Sequence, residues 1–138
     1  MKPVKIALVG AGSRSFGPAT IRDVLLSKPL AERGVELVLM DKVAAHLVEV
    51  EAYARHVCGQ LGHGARVEAT TQLERALEGA DFAVTAIEVQ RFLYWSQDYH
   101  LPRHYGFKQI FGENGGPGSL FHALRNMGPT IQIARAME

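Results

Sequence analysis

Residues 5–26 read "KIALVGAGSRSFGPATIRDVLL", a short apolar run that breaks at glycines and resumes as a helical pattern. Gly10 permits a tight turn out of a strand. Gly12 lets the backbone approach a pyrophosphate, which then rests on the N-terminus of the following helix. Ser15 fills the third place of the G-x-G-x-x-G spacing, small but not glycine. Ser13, Arg14, Ser15 and Phe16 make up the rest of the turn and are candidate contacts for the same ligand. The next apolar run, "ELVLM", ends in a carboxylate, Asp41, at a somewhat longer spacing than usual. A carboxylate there accepts hydrogen bonds from both ribose hydroxyls and repels a 2′-phosphate, so these residues favour NAD over NADP. The same residues also fit a plain glycine-rich turn followed by a helix-capping Asp.

A second glycine loop comes late in the chain, in "FGENGGPGSLFHALRNMGP", residues 111–129. Gly115–Gly118 can either present backbone N–H groups and a helix N-terminus to a ligand or form a tight turn before Pro117 opens a helix. "EVQR", residues 88–91, follows a fourth apolar run. An open parallel sheet gathers ligands at the carboxyl ends of its strands, which makes Ile87 and Glu88 candidate neighbours of a cofactor. The histidines offer little. His56 and Cys58 are two apart and do not share a helical face. His100 and His104 have metal-like spacing, but Pro102 is expected to break the helix between them. His122 falls one turn beyond the second loop. No metal ligand is assigned in this chain.

These residues need a scaffold, and the pattern supplies one. Val4–Val9 and Glu36–Met40 read as buried parallel strands. Arg66–Thr70 alternates as a third strand, and Phe82–Ile87 is a fourth. Helices are expected from Pro18 to about Leu26, over Ala44–Leu61 and Leu73–Glu78, from Phe92 to His100, and from Pro117 onwards; Pro29 and Gly34 close the region after the first. Strand–helix alternation implies an α/β fold, a doubly wound Rossmann-type parallel sheet of order 3-2-1-4, incomplete because the chain ends before a fifth strand. Residues 1–138 are expected to form one domain.

Composition excludes several classes. The chain has 138 residues, 47% hydrophobic and 21% charged, with a net charge of +1. That balance suits a globular protein and argues against nucleic-acid and membrane partners. A single cysteine, no signal peptide and no apolar run of membrane length point to a cytoplasmic protein.

Three segments carry a specific resemblance: "KIALVGAGSRSFGPATIRDVLL", "VEATTQLERALEGADFAVTAI" and "LPRHYGFKQIFGENGGPGSLFHALRNMGPTIQIARAME". Together they resemble the N-terminal, NAD-binding part of the family 4 glycoside hydrolases, over essentially the whole chain. That family comprises NAD- and metal-dependent glycosidases acting on α-glucosides, α-galactosides, α-galacturonides and 6-phospho-glycosides, and it stands apart from the usual carboxylate-pair glycosidases. The resemblance implies hydride removal from sugar C3 by NAD, loss of the acidified C2 proton to a tyrosine base, Lewis-acid help from a divalent metal such as Mn²⁺, elimination of the aglycone, and the reverse steps.

It also implies roles. The second glycine loop would lie beside nicotinamide and sugar. Glu113 would raise the basicity of the tyrosine, and Asn114 would contact sugar hydroxyls. Phosphosugar members carry an arginine in the helix after the fourth strand; the matching place here is near Trp95, with Arg91 a turn earlier. A non-phosphorylated glycoside is therefore expected, with Arg91 available to a uronide carboxylate. The family's base and metal ligands follow the next strand, and Tyr53, Tyr94, Tyr99, Tyr105 and Cys58 do not match them. This chain alone is expected to be inactive and to self-associate, and the family protein to be a homo-oligomer. A sugar or 2-hydroxyacid dehydrogenase and a non-catalytic nucleotide-binding module remain the alternatives.

Overall fold

Apolar residues at successive positions make Val4–Val9 (β1) and Val35–Met40 (β2) the centre of a four-stranded sheet. The computed structural model describes residues 2–62, 64–108 and 115–138. These gather into two compact units, Met1–Ile87 with Ala136–Glu138, and Glu88–Arg135.

In the first unit the elements follow as β1, α1 (Gly17–Leu26), α2 (Lys28–Arg33), β2, α3 (Ala44–Leu61), β3 (Arg66–Thr70), α4 (Leu73–Leu77) and β4 (Phe82–Thr85). All strand pairs are parallel, in the order β3-β2-β1-β4, as the alternation of elements predicts. Register sets Ile6 beside Leu37 and Leu8 beside Leu39. These side chains share one face and pack with Ile21 and Leu25 of α1 and Leu47, Val50 and Ala54 of α3. The intervening Ala7, Val9, Val38 and Met40 are buried as well. Burial on both faces is what makes the two central strands near-continuous apolar runs.

Boundaries depart from expectation where proline or pairing decides. Pro29 does not end a helix; it stands in the first turn of the short α2, where its missing N–H costs nothing. β4 stops at Thr85 rather than Ile87. Its partner β1 turns away at Gly10, and the last bond runs from the Ala86 N–H to the Val9 carbonyl, at 2.8 Å. Asp81 fixes the other end of β4, accepting the Lys5 N–H at 2.8 Å. β3 and β4 are the sheet's edges, and Phe82 and Val84 of β4 are exposed.

The second unit pairs α5 (Arg91–His104) with α6 (Pro117–Arg135). Pro102 does not break α5; it lies inside the helix and is buried. Proline cannot donate to the Asp98 carbonyl one turn earlier. That carbonyl lies instead against Gly118 of α6, where a Cβ would come within 2.2 Å of it. The helix thus passes through its proline where the neighbouring helix comes closest. His100 and His104 consequently sit one turn apart on a continuous, exposed stretch.

Candidate functional site

The carboxyl ends of β1 and β2 bring the first glycine turn and Asp41 together. Both Gly10 and Ala11 donate their N–H groups to the Met40 carbonyl, at 2.8 and 2.9 Å. Gly10 has φ +87°, and a Cβ on it would meet the Ala86 carbonyl oxygen at 2.4 Å. Glycine is required there twice over, by conformation and by space. Gly12 donates its N–H to Asp41 Oδ2 at 3.0 Å, and the Val43 N–H donates to Asp41 Oδ1 at 2.9 Å. A Cβ at Gly12 would fall 2.7 Å from Asp41 Oδ2 and 2.5 Å from the Cβ of His46. Asp41 therefore ties the two strand ends together and does not cap α3. Its side chain keeps 15% exposure, and each oxygen retains a lone pair for a further donor.

Beyond Gly12 the turn leads into α1. Ser13 donates its N–H to the Gly10 carbonyl at 3.0 Å, and its Oγ accepts the Phe16 N–H at 3.3 Å. Gly17 donates to the Ser13 carbonyl at 2.8 Å. Among the described residues, no acceptor takes the N–H groups of Arg14 and Ser15, which lie exposed just before the helix. Two free donors at the positive end of α1 suit an anion such as a diphosphate. The backbone thus fits the phosphate part of a dinucleotide, and Asp41 fits its ribose.

The packing glycine of the turn was not legible in the motif. Ser15 holds the third place but is exposed. The close approach of helix to turn is made two residues later, by Gly17, where a Cβ would lie 2.1 Å from the Ala11 carbonyl oxygen. Its only signal in the sequence is a glycine directly before the helix-opening Pro18. Replacing Gly17 by alanine is expected to cost about 1–3 kcal/mol, as forced methyls in packed interiors do. Urea unfolding followed by circular dichroism measures this; a loss under about 0.5 kcal/mol would show that the loop yields freely.

In the first unit, Ile87 comes next to the Gly10 turn: its Cγ2 would stand 3.3 Å from a Cβ there. In the second unit, Glu88 pairs with Arg91 at 3.2 Å and lies 3.9 Å from His122 Nδ1. Arg91 is half exposed and its guanidinium sits 5.9 Å from the Trp95 ring centre. Glu113 and Asn114 lie outside the described residues. Gly115 and Gly116 take φ values of +82° and +90°, and Pro117 then opens α6.

A polar cluster that the sequence did not suggest joins α5 to α6. Arg125 grips Asp98 with both terminal nitrogens, one bond measuring 3.0 Å, and stacks 4.9 Å over the Tyr94 ring. Asp98 is nearly buried, and His122 Nδ1 approaches it to 4.0 Å without a hydrogen bond. Asn126 accepts the Val89 N–H at 3.0 Å and donates to the His122 carbonyl at 2.9 Å. Among the described residues, no group of three or more His, Cys, Asp or Glu side chains is arranged to hold a metal ion.

The parallel sheet, with its glycine turn and acid at adjacent strand ends, defines a Rossmann-type α/β fold. The chain belongs to family 4 of the glycosyl hydrolases, whose profile matches residues 5–138. It is 42% identical over 130 residues to an α-glucosidase of Erwinia rhapontici, covering 94% of this chain and 28% of that protein. It is 30% identical over 135 residues to an α-galacturonidase of Thermoanaerobacter italicus, covering 98% and 28%. In fold it is similar to a 6-phospho-α-glucosidase from gut microorganisms, solved in complex with NAD and Mn²⁺, with a TM-score of 0.82 and 20% identity over 99% of this chain and 30% of that one. The chain thus spans under a third of the length of these relatives. Among the described residues, no helix is long and apolar enough to cross a membrane.

Proposed function

We propose that residues 1–138 are the NAD-binding portion of a family 4 glycosidase that cleaves non-phosphorylated α-glycosides, working with a divalent metal held by residues outside this chain. The observation that carries the reading is the joint at Gly12 and Asp41, with the free N–H groups of Arg14 and Ser15 beside it. In this role the two N–H groups and the α1 terminus receive the diphosphate. Asp41 keeps its backbone bonds and accepts the ribose hydroxyls with its remaining lone pairs. Ile87 flanks the turn. Glu88 holds Arg91 in place, and Arg91 meets polar groups of the sugar. Bound NAD supplies a reversible hydride acceptor for a sugar carbon; the metal supplies a Lewis acid for the oxygen beside it. The α-glucosidase and α-galacturonidase relatives, and the want of an arginine at Trp95, support a substrate without phosphate.

Calorimetric titration with NAD and with NADP tests the cofactor assignment. NAD is expected to bind more tightly, and Asp41→Ala to erode that preference by about tenfold or more, the equivalent of ~1.4 kcal/mol. Lys42 works against the effect by attracting a 2′-phosphate. Equal affinity for the two cofactors in the unmodified protein would remove Asp41 from the role.

A further inference from the structure

Because α5 continues through Pro102, His100 and His104 lie four residues apart on one face of an unbroken helix. Residues at that separation have Cβ atoms about 5–6 Å from each other and project the same way. Both imidazoles are exposed. Each meets the aromatic ring next to it in sequence edge-on, His100 with Tyr99 at 4.9 Å between ring centres and His104 with Tyr105 at 5.2 Å. Among the described residues neither imidazole makes a hydrogen bond or an ion pair, so no internal partner competes for the ring nitrogens. Arg103, the cation nearest in sequence, is drawn to the neighbouring stripe, its guanidinium 5.1 Å from the centre of the Tyr99 ring. His104 is also the last residue of α5, where the end carbonyls of a helix carry partial negative charge and favour a cation.

We infer that His100 and His104 form a two-imidazole chelate for a borderline-soft divalent cation of the Zn²⁺ type. Two histidines at i and i+4 on one helix face are a pair by which helices hold zinc. Imidazole suits this class of ion, whereas Mg²⁺ and Ca²⁺ seek oxygen donors. Zn–N bonds of about 2.0–2.1 Å are within reach of two rings one turn apart. Water fills the remaining corners of the tetrahedron, since among the described residues no third His, Cys, Asp or Glu joins the pair. The chelate has a consequence for the helix. The ring of Pro102 deprives α5 of the bond that another residue there would donate to the Asp98 carbonyl. A cation gripping His100 and His104 spans the proline and clamps the last turn of α5 to the turn before it. The helix sets the spacing of the two rings, so the ion binds the folded chain in preference to the unfolded one and stabilises the Glu88–Arg135 unit. The site uses neither the cofactor nor the activity proposed above.

Isothermal titration of the 138-residue chain with Zn²⁺ alone, without NAD, tests the chelate. Zn²⁺ is expected to bind, and Mn²⁺ to bind about tenfold or more weakly. His100→Gln and His104→Gln should each weaken Zn²⁺ binding about tenfold or more. The double variant should lose little beyond either single one, because two ligands of one ion act as a unit. His56→Gln, at an exposed histidine outside the pair, should leave the affinity unchanged. Absence of Zn²⁺ binding overturns the inference. So does binding that withstands both substitutions or yields to only one of them, and so does binding lost on Cys58→Ser instead. A second readout needs no variant. In the unmodified chain Zn²⁺ should shield His100 and His104 together from diethylpyrocarbonate, mapped by peptide mass, while His56 stays reactive. Equal modification of the pair with and without Zn²⁺ overturns the chelate even where a variant fails to fold.

Discussion

Replacing Arg125 by methionine is expected to destabilise the Glu88–Arg135 unit by about 3 kcal/mol, the low end for breaking a buried ion pair. The loss comes less from the bond itself than from what remains. Asp98 is left without its guanidinium partner, its side chain only 8% exposed, and His122 Nδ1, 4.0 Å away, makes no hydrogen bond to it. The 20% exposure of Arg125 is why the low end applies. Removing both charges, as Asp98→Leu with Arg125→Met, should recover most of the loss, because no unpaired charge is left inside. The guanidinium holds its proton more tightly than a free arginine does, chiefly through its hydrogen bonds to Asp98, with burial opposing. A raised cationic pKa gives stability that is complete below the ordinary arginine range and is lost only as pH rises through the higher folded value. The Arg125 contribution should therefore not vary from neutral to mildly alkaline solution. Trp95, the single tryptophan, lies in the same unit and reports its unfolding in urea. A loss below about 1 kcal/mol would place this pair with solvated surface ion pairs.

In a longer protein containing this chain, Glu113→Gln is expected to lower kcat by roughly 10²-fold with little change in KM. The proposed task of Glu113 is to raise the basicity of a tyrosine that takes a proton in the transition state. Removing its charge leaves substrate binding in place and weakens only the proton transfer. The limb of the pH–rate profile set by that base should shift as well, which a merely structural glutamate would not cause. An unchanged turnover and profile would return Glu113 to the ordinary loop residues.

How much of this could be read in advance depended on whether the governing interaction was local. The bounds of β1, α3 and β3 follow from apolar spacing and flanking glycines, and Val4–Val9, Ala44–Leu61 and Arg66–Thr70 agree with the pattern residue for residue. The strand order follows from right-handed crossovers. Prolines misled, because their effect depends on where a helix begins. Pro29 opens α2, while Pro102 is carried within α5 where Gly118 of another helix meets the freed carbonyl. The Asp98–Arg125 pair was illegible because its partners are brought together by packing of two helices, 27 residues apart in sequence. Gly17 was hidden for a different reason: its contact, the Ala11 carbonyl, lies within the same turn, but the G-x-G-x-x-G spacing points to Ser15 instead. At the candidate site, Gly10, Gly12 and Asp41 were legible because the turn and the two strand ends follow directly from the parallel pattern.

The central claim is that this chain serves a glycosidase reaction run through NAD rather than a carboxylate pair. It is tested most directly by hydrolysing a nitrophenyl α-glucoside in D₂O with the longer protein, NAD, Mn²⁺ and a reductant, and then examining the released sugar. The expected result is turnover that depends on NAD, deuterium entering at C2, and neither turnover nor exchange with the 138-residue chain alone. Hydrolysis that proceeds without NAD and leaves C2 fully protonated would contradict it.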